Sequence, residues 1–389
     1  MSPRPYLVIT LAALCACGSQ KQSGTNPLDG GGKPPPDGGT IEPGLAFQPA
    51  FHQALRWSEP LAGPTTVRMR IPLGRAGERV RVTFKAGEGG MELSRATIAR
   101  AGAEGSLASD PMELRFDGRA GFSASPRAQV TSDAVELPVA FREEIAVTFV
   151  ASGSVAASAV ELFPDSYWGS GDQADAPGAF GEPQLRAMGV SNVYVEAPPT
   201  RAFVVMGDSI TEGYVEGQDE YLEAWPAVAE AALRLPVGNS GVSGQGVDGE
   251  LDNLESEIFS VEGITDCIVL LGTNDLGGTP AGRIEQTLDL LYDRLRPFCR
   301  VWAGTLPPKE MDELDDDRAH VNAWIRGHRR VDGVIDFEAA LAEPGNVNRF
   351  REGMAMDHVH PSVKGHAAMG KEVVRVIRAE EAADEGPSP

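Results

Sequence analysis

The chain has 389 residues, with 34 Lys plus Arg against 56 Asp plus Glu, giving a formal net charge of −22. An acidic surface repels the phosphate backbone that Lys and Arg would have to hold, which excludes a nucleic-acid binder. Hydrophobic residues at 42 % and charged residues at 23 % exclude a wholly disordered, collagenous or multi-span membrane chain, and the length suggests about two domains.

Arg4 precedes an apolar run from Pro5 to Ala16, the length of a signal-peptide core and too short to span a bilayer. The run closes in Leu14-Cys15-Ala16-Cys17-Gly18, which resembles a bacterial lipobox. Cys17, preceded by small Ala16, suits lipidation better than Cys15, preceded by bulky Leu14. Residues 1–17 therefore read as a lipoprotein signal peptide, and an exported, membrane-anchored protein of the bacterial cell envelope is expected. Residues 18–44 carry eight Gly and five Pro, a composition that cannot bury a core, and read as a Gly/Pro-rich linker. As a flexible coil it would span about 30 Å.

Residues 45–197 hold short alternating runs broken by Gly, Pro and Asp: TTVRMRI (65–71), ERVRVTF (78–84), AVELPV (134–139) and EIAVTFV (144–150). One apolar face per strand predicts an antiparallel sheet, and this many strands predict a β-sandwich, jelly-roll-like domain. Residues 164–186 read as a long Gly/Pro/Asp loop before VSNVYVE (190–196). Tyr167 and Trp168 in that loop are candidates for a sugar platform or for a plug between domains.

Residues 198–389 change to strands alternating with helices. FVVMGDS, CIVLLGTND, CRVWAGTL and GVIDF read as strands; EAWPAVAEAALRL, RIEQTLDLLYDRL, VNAWIRGHRR and GHAAMGKEVVRVIRAEEAA read as helices. Ile284, Leu288, Leu291 and Leu295 share one helical face. The alternation predicts a parallel sheet covered on both faces, with the site outside the carboxyl ends of its strands. Cys267 and Cys299 each open a strand; in neighbouring strands they would start side by side, either bridged or as two buried thiols.

Four segments could carry chemistry. Gly207-Asp208-Ser209 places a hydroxyl in a tight turn at a strand's carboxyl end, where a nucleophile is exposed. Asp357-His358-Val359-His360 supplies an imidazole base and a carboxylate to orient it. His358 competes for that role, but the spacing favours His360. Gly272-Thr273-Asn274-Asp275 offers an amide donor, and Gly238-Asn239-Ser240-Gly241-Val242-Ser243-Gly244 offers unobstructed backbone N–H groups. Asp208 and Asp275 read as buried supports of their turns.

These four blocks, in this order, resemble the SGNH (GDSL-type) hydrolases. The resemblance implies an α/β, flavodoxin-like parallel-sheet domain of strand order 2-1-3-4-5 at residues 198–389. It assigns Ser209 as nucleophile, His360 as base and Asp357 as its orienter, with an oxyanion hole of Ser209 N–H, Gly244 N–H and the Asn274 amide. More loosely, residues 45–380 resemble two-domain secreted SGNH esterases, including those of xylanase gene clusters and acetylesterases with a preceding β-sandwich. That implies a serine esterase acting on short-chain esters, O-acetyl groups of a polysaccharide or oligosaccharide first. A lysophospholipase, arylesterase or thioesterase of the same family, or a non-catalytic glycan-binding lipoprotein, are the alternatives.

Other pattern matches fail. Gly244 to Gly249 satisfies G-x-G-x-x-G, but Gly244 is already assigned and an exported protein has little access to NAD. Gly365 to Lys371 reads as a phosphate loop, but Glu372 replaces the Ser or Thr that binds Mg²⁺. Metal-ligand spacings are lacking, so neither cofactor nor metal is expected, and the protein is expected to act as a monomer. Of the net charge, −18 falls on residues 198–389. Glu212, Glu216, Asp219, Glu220 and Glu223 follow the nucleophile and are expected to give the mouth of the site a field that disfavours anionic esters.

Overall fold

The computed structural model describes residues 44–215 and 221–384. Cys17, the linker, and Glu216, Asp219 and Glu220 lie outside them. The first half is antiparallel: β1 (Ala46–His52), β2 (Trp57–Pro72), β3 (Gly77–Arg100), β4 (Glu144–Glu161), β5 (Tyr167–Ser170) and β6 (Val190–Ala197), in the order β1-β6-β3-β4-β2-β5. Four short strands between residues 112 and 139 also pair with β3. The sheet curls on itself because β3 is long and breaks register between Ala86 and Met91, across Gly87-Glu88-Gly89-Gly90. Gly90 sits there at φ +76°, a conformation that disfavours a side chain. The first part of β3 pairs with β6 and the second with β4, and the two layers enclose one core.

Alternation is kept where the sequence predicts it: Val67, Met69 and Ile71 of β2 lie beside Phe149, Val147 and Ile145 of β4 and share one core with Val80, Val82 and Phe84 of β3. The opposite face of β2 is not left to solvent. Arg68 is 1 % exposed and donates to Thr148 Oγ1 (2.9 Å) and to the carbonyls of Gly105 (2.8 Å), Gly178 (2.9 Å) and Ala176 (2.6 Å). The Gly/Pro/Asp loop folds over the sheet and uses Arg68 to satisfy its own backbone. Tyr167 and Trp168 are built into β5, which pairs with β2 on one side and with Glu182–Pro183 on the other; Trp168 packs on the sandwich core and the Tyr167 ring lies against Gly105.

The second half is a five-stranded parallel sheet: β7 (Phe203–Gly207), β8 (Val237–Gly241), β9 (Asp266–Leu270), β10 (Arg300–Gly304) and β11 (Gly333–Ile335). Its order, β8-β7-β9-β10-β11, is the 2-1-3-4-5 arrangement. Every residue of β7, β8 and β9 is buried, as expected of strands covered on both faces. The helices are α1 (Ser209–Glu212), α2 (Trp225–Leu233), α3 (Val247–Glu257), α4 (Ala281–Leu295), α5 (Asp315–Gly327), α6 (Phe337–Leu341) and α7 (Val363–Asp384). On α4, Ile284, Leu288, Leu291 and Leu295 are fully buried. Cys267 of β9 and Cys299, just before β10, form a disulfide with Cα atoms 5.8 Å apart.

Both halves fall within one compact unit, Pro43–Pro389. At its end β1 bridges onto β8 through Gln53 and Asn239, and Ala54 N–H donates to Asn239 O (2.8 Å). His52, which burial lowers to about 4 and so keeps neutral, links Asn192 Oδ1 (2.7 Å) to Ser240 Oγ (2.7 Å). Arg142 donates to Glu230 Oε1 (3.0 Å), and Tyr221 and Ala227 of the α/β half pack into the sandwich core.

Replacing both cysteines (Cys267→Ser with Cys299→Ser) opens a loop of sequence separation 32, whose closure is worth about 4 kcal/mol in the unfolded chain. Urea unfolding is expected to shift to lower denaturant while activity in the absence of urea is kept. Coincident unfolding curves would contradict this.

Candidate active site

Gly207 ends β7, and Asp208 caps α1 by accepting the N–H of Ile210 on Oδ1 (3.0 Å). Ser209 is thus the first residue of a helical turn, where its own N–H has no intrahelical acceptor. Ser209 Oγ lies 2.9 Å from His360 Nε2, and His360 Nδ1 lies 2.9 Å from Asp357 Oδ2. The turn before α7 makes this local: Asp357 Oδ1 also accepts the N–H groups of Val359 (2.6 Å) and His360 (2.6 Å). Partial burial would raise the Asp357 carboxyl, but these N–H groups and the imidazole outweigh it and hold it below the usual carboxylate range. With Nδ1–H donated to a carboxylate, Nε2 is left as the acceptor for the Ser209 hydroxyl. His358 is 74 % exposed and meets Glu310 instead (3.3 Å).

The third and fourth blocks converge on the same turn. Gly244 follows β8 at φ +78°, a left-handed conformation that only glycine adopts without strain. Asn274 Nδ2 donates to the Gln245 carbonyl (3.1 Å), so the amide of one block is fixed by the backbone of the other. Asp275 Oδ2 accepts the N–H of Val247 at the start of α3 (3.1 Å), and burial raises its carboxyl. Asn239 ties β8 to α1, donating to Thr211 O (3.0 Å) and accepting from Gly241 N–H (2.9 Å).

Glu212 does not belong to an acidic mouth. It is 1 % exposed, its Oε1 accepts the N–H groups of Ala159 (2.8 Å) and Val160 (3.1 Å), and its Oε2 accepts from Ser243 N–H (2.7 Å) and Oγ (2.6 Å). Four donors around one carboxylate make it a structural tie. Two further residues that the blocks do not announce stand near His360 and Asp208. The Tyr214 ring, 40 % exposed, meets His360 edge-on at 4.7 Å. Lys309 donates to Thr273 O (2.9 Å) and is electrostatically coupled to Asp208. Among the described residues there is no group of three or more His, Cys, Asp or Glu able to hold a metal.

Residues 205–368, from β7 into α7, match the model of the GDSL-like Lipase/Acylhydrolase family. That segment is a GDSL-like lipase/acylhydrolase domain. The protein is accordingly a carboxylic ester hydrolase. Among solved structures, the chain is similar to a family two carbohydrate esterase from Clostridium thermocellum in complex with cellohexaose. Identity is 15 %, the TM-score is 0.40, and 84 % of this chain and 94 % of that one are covered. A lipolytic G-D-S-L family protein from Veillonella parvula is 24 % identical with a TM-score of 0.40, over 46 % of this chain and 99 % of that one. An acetyl-xylooligosaccharide esterase from Geobacillus Stearmophilus is 20 % identical with a TM-score of 0.37, over 46 % and 96 %. No curated protein matches the chain.

Within the GDSL domain, Asp208 is fully buried and burial pushes its carboxyl up to about 6. Its folded value lies above its unfolded one, so its contribution to stability is complete below about pH 4 and is lost as pH rises through about 6. The difference amounts to about 3 kcal/mol. Asp208→Asn keeps an acceptor for Ile210 N–H and removes the titration. The variant is expected to gain about that much stability over wild type between pH 4 and pH 7 in denaturant unfolding. A stability difference that stays flat with pH would contradict this.

Proposed function

We propose that the protein is a serine esterase that removes short acyl groups, O-acetyl first, from a polysaccharide or oligosaccharide by way of an acyl-enzyme. The observation that carries the reading is the continuous contact Ser209 Oγ to His360 Nε2 to Asp357 Oδ2, both links at 2.9 Å. His360 takes the Ser209 proton as the oxygen attacks the ester carbonyl, and Asp357 stabilises the imidazolium that forms. The oxyanion is met by the N–H groups of Ser209 and Gly244 and by the Asn274 amide, each such donor being worth about 3 kcal/mol. His360 then returns its proton to the leaving alkoxide and activates the water that clears the acyl group.

The carbohydrate part of the reading is supported by exposure. Asp357 is 44 % exposed in its side chain, and the Tyr214 ring stands open beside the base. An open edge with a half-exposed aromatic ring suits a large, solvated alcohol such as a sugar chain. The sequence supports an envelope location, with a monomer held by a lipid on Cys17 through the linker of residues 18–44, within reach of such a polymer.

Ser209→Ala is expected to abolish hydrolysis of nitrophenyl esters. The wild-type rate is expected to be highest for acetate and to fall as the acyl chain lengthens. Ser209-independent hydrolysis would overturn the mechanism, and a maximum at medium or long chains would favour a lysophospholipase or thioesterase. Acetate release from acetylated polysaccharides, with Ser209→Ala as control, identifies the substrate.

A further inference from the structure

Gly244 is exposed, and a Cβ at this position would meet nothing within 4 Å, so the space beside it is open. The residues on either side are each held from the antiparallel half. Ser243 is bound through its N–H and hydroxyl to Glu212, whose other oxygen is fixed by the backbone N–H groups of Ala159 and Val160 in β4. Gln245 accepts on Oε1 from Arg56 Nη1 (2.6 Å), and Arg56 lies between β1 and β2. The remaining arms of that guanidinium hold Glu257 (2.8 Å from Nε) and Glu250 (3.1 Å from Nη2), both on α3. The planar fork therefore locks Gln245 and α3 in one geometry.

The Gln245 backbone carries this order to the reacting atoms. Its carbonyl takes one of the two N–H donors of the Asn274 amide, which fixes the direction of the other. We infer that the antiparallel half is a positioning device for the oxyanion hole, acting through Arg56 on Gln245 and Asn274 and through Glu212 on Ser243, so that Gly244 is held from both sides. Arg56, Gln245 and Glu212 are positioning residues, since none of them reaches the ester. The inference rests on the roles of Ser209, Gly244 and Asn274 proposed above and gives the first half of the chain a part in the chemical step, whether or not it binds glycan. A displacement of about 1 Å in such donors costs on the order of 100-fold in rate, which is why anchoring outside the site matters.

The test is a pair of double-mutant cycles on the full-length protein with nitrophenyl acetate. Gln245→Ala removes the acceptor without disturbing the α3 carboxylates, and Arg56→Lys keeps a charge for Glu250 and Glu257 while losing the fork. Each is expected to lower kcat about tenfold with KM within about twofold, and to cost less than about twofold once Asn274→Ala is present. A purely structural role predicts the same loss in both backgrounds, and that result, or a change confined to KM, would overturn the inference. If Arg56→Lys does not fold, the Gln245→Ala cycle decides alone. Ser209→Ala measured beside them separates the two failures: unchanged hydrolysis there means that the active-site reading itself is wrong.

Discussion

A partly buried guanidinium between the two halves is the interaction on which the arrangement depends. Arg56 faces Glu250 and Glu257, and Lys85 of β3 adds a second cation 3.5 Å from Glu257. Two acidic side chains on the inner face of one helix are costly in the interior, and burial pushes the Glu250 carboxyl up to about 8 even though Arg56 beside it acts to lower it. The partners come from the antiparallel half. These contacts with α3 tie the sandwich to the GDSL domain, and Pro43–Pro389 holds together as one unit rather than as two beads on a tether. The same guanidinium reaches Gln245, so the contact that joins the halves also reaches the loop carrying Gly244 and, through it, the Asn274 amide.

This arrangement explains what the sequence disclosed and what it hid. The face of α4 was readable because Ile284, Leu288, Leu291 and Leu295 are apolar at helical spacing. Helix α3 was not, although its buried residues Val247, Glu250, Leu254 and Glu257 follow the same spacing. Half of them are carboxylates, and periodicity measured in hydrophobicity cannot see a face closed by ion pairs with a distant segment. Arg68 misleads in the same way, since strand alternation marks it as solvent-facing while a loop more than a hundred residues later covers it. Glu212 looks like part of an acidic run after Ser209, yet its position depends on N–H groups of β4 that no local pattern reports.

The candidate triad was readable for the opposite reason. Asp357 and His360 are three residues apart in one turn, and Ser209 stands where a parallel strand of this topology delivers its functional group. Tyr214 and Lys309 were not singled out, because their closeness to the site comes from the folded chain and not from spacing.

The central claim is that Ser209, activated by His360, is the single nucleophile of the ester hydrolase. Its most direct test is covalent trapping with an aryl dialkyl phosphate followed by peptide mass spectrometry. The account predicts one phosphoryl adduct per chain, located on Ser209 and strongly slowed in His360→Ala. An adduct on another residue, or equal labelling of Ser209 without the imidazole, would contradict it.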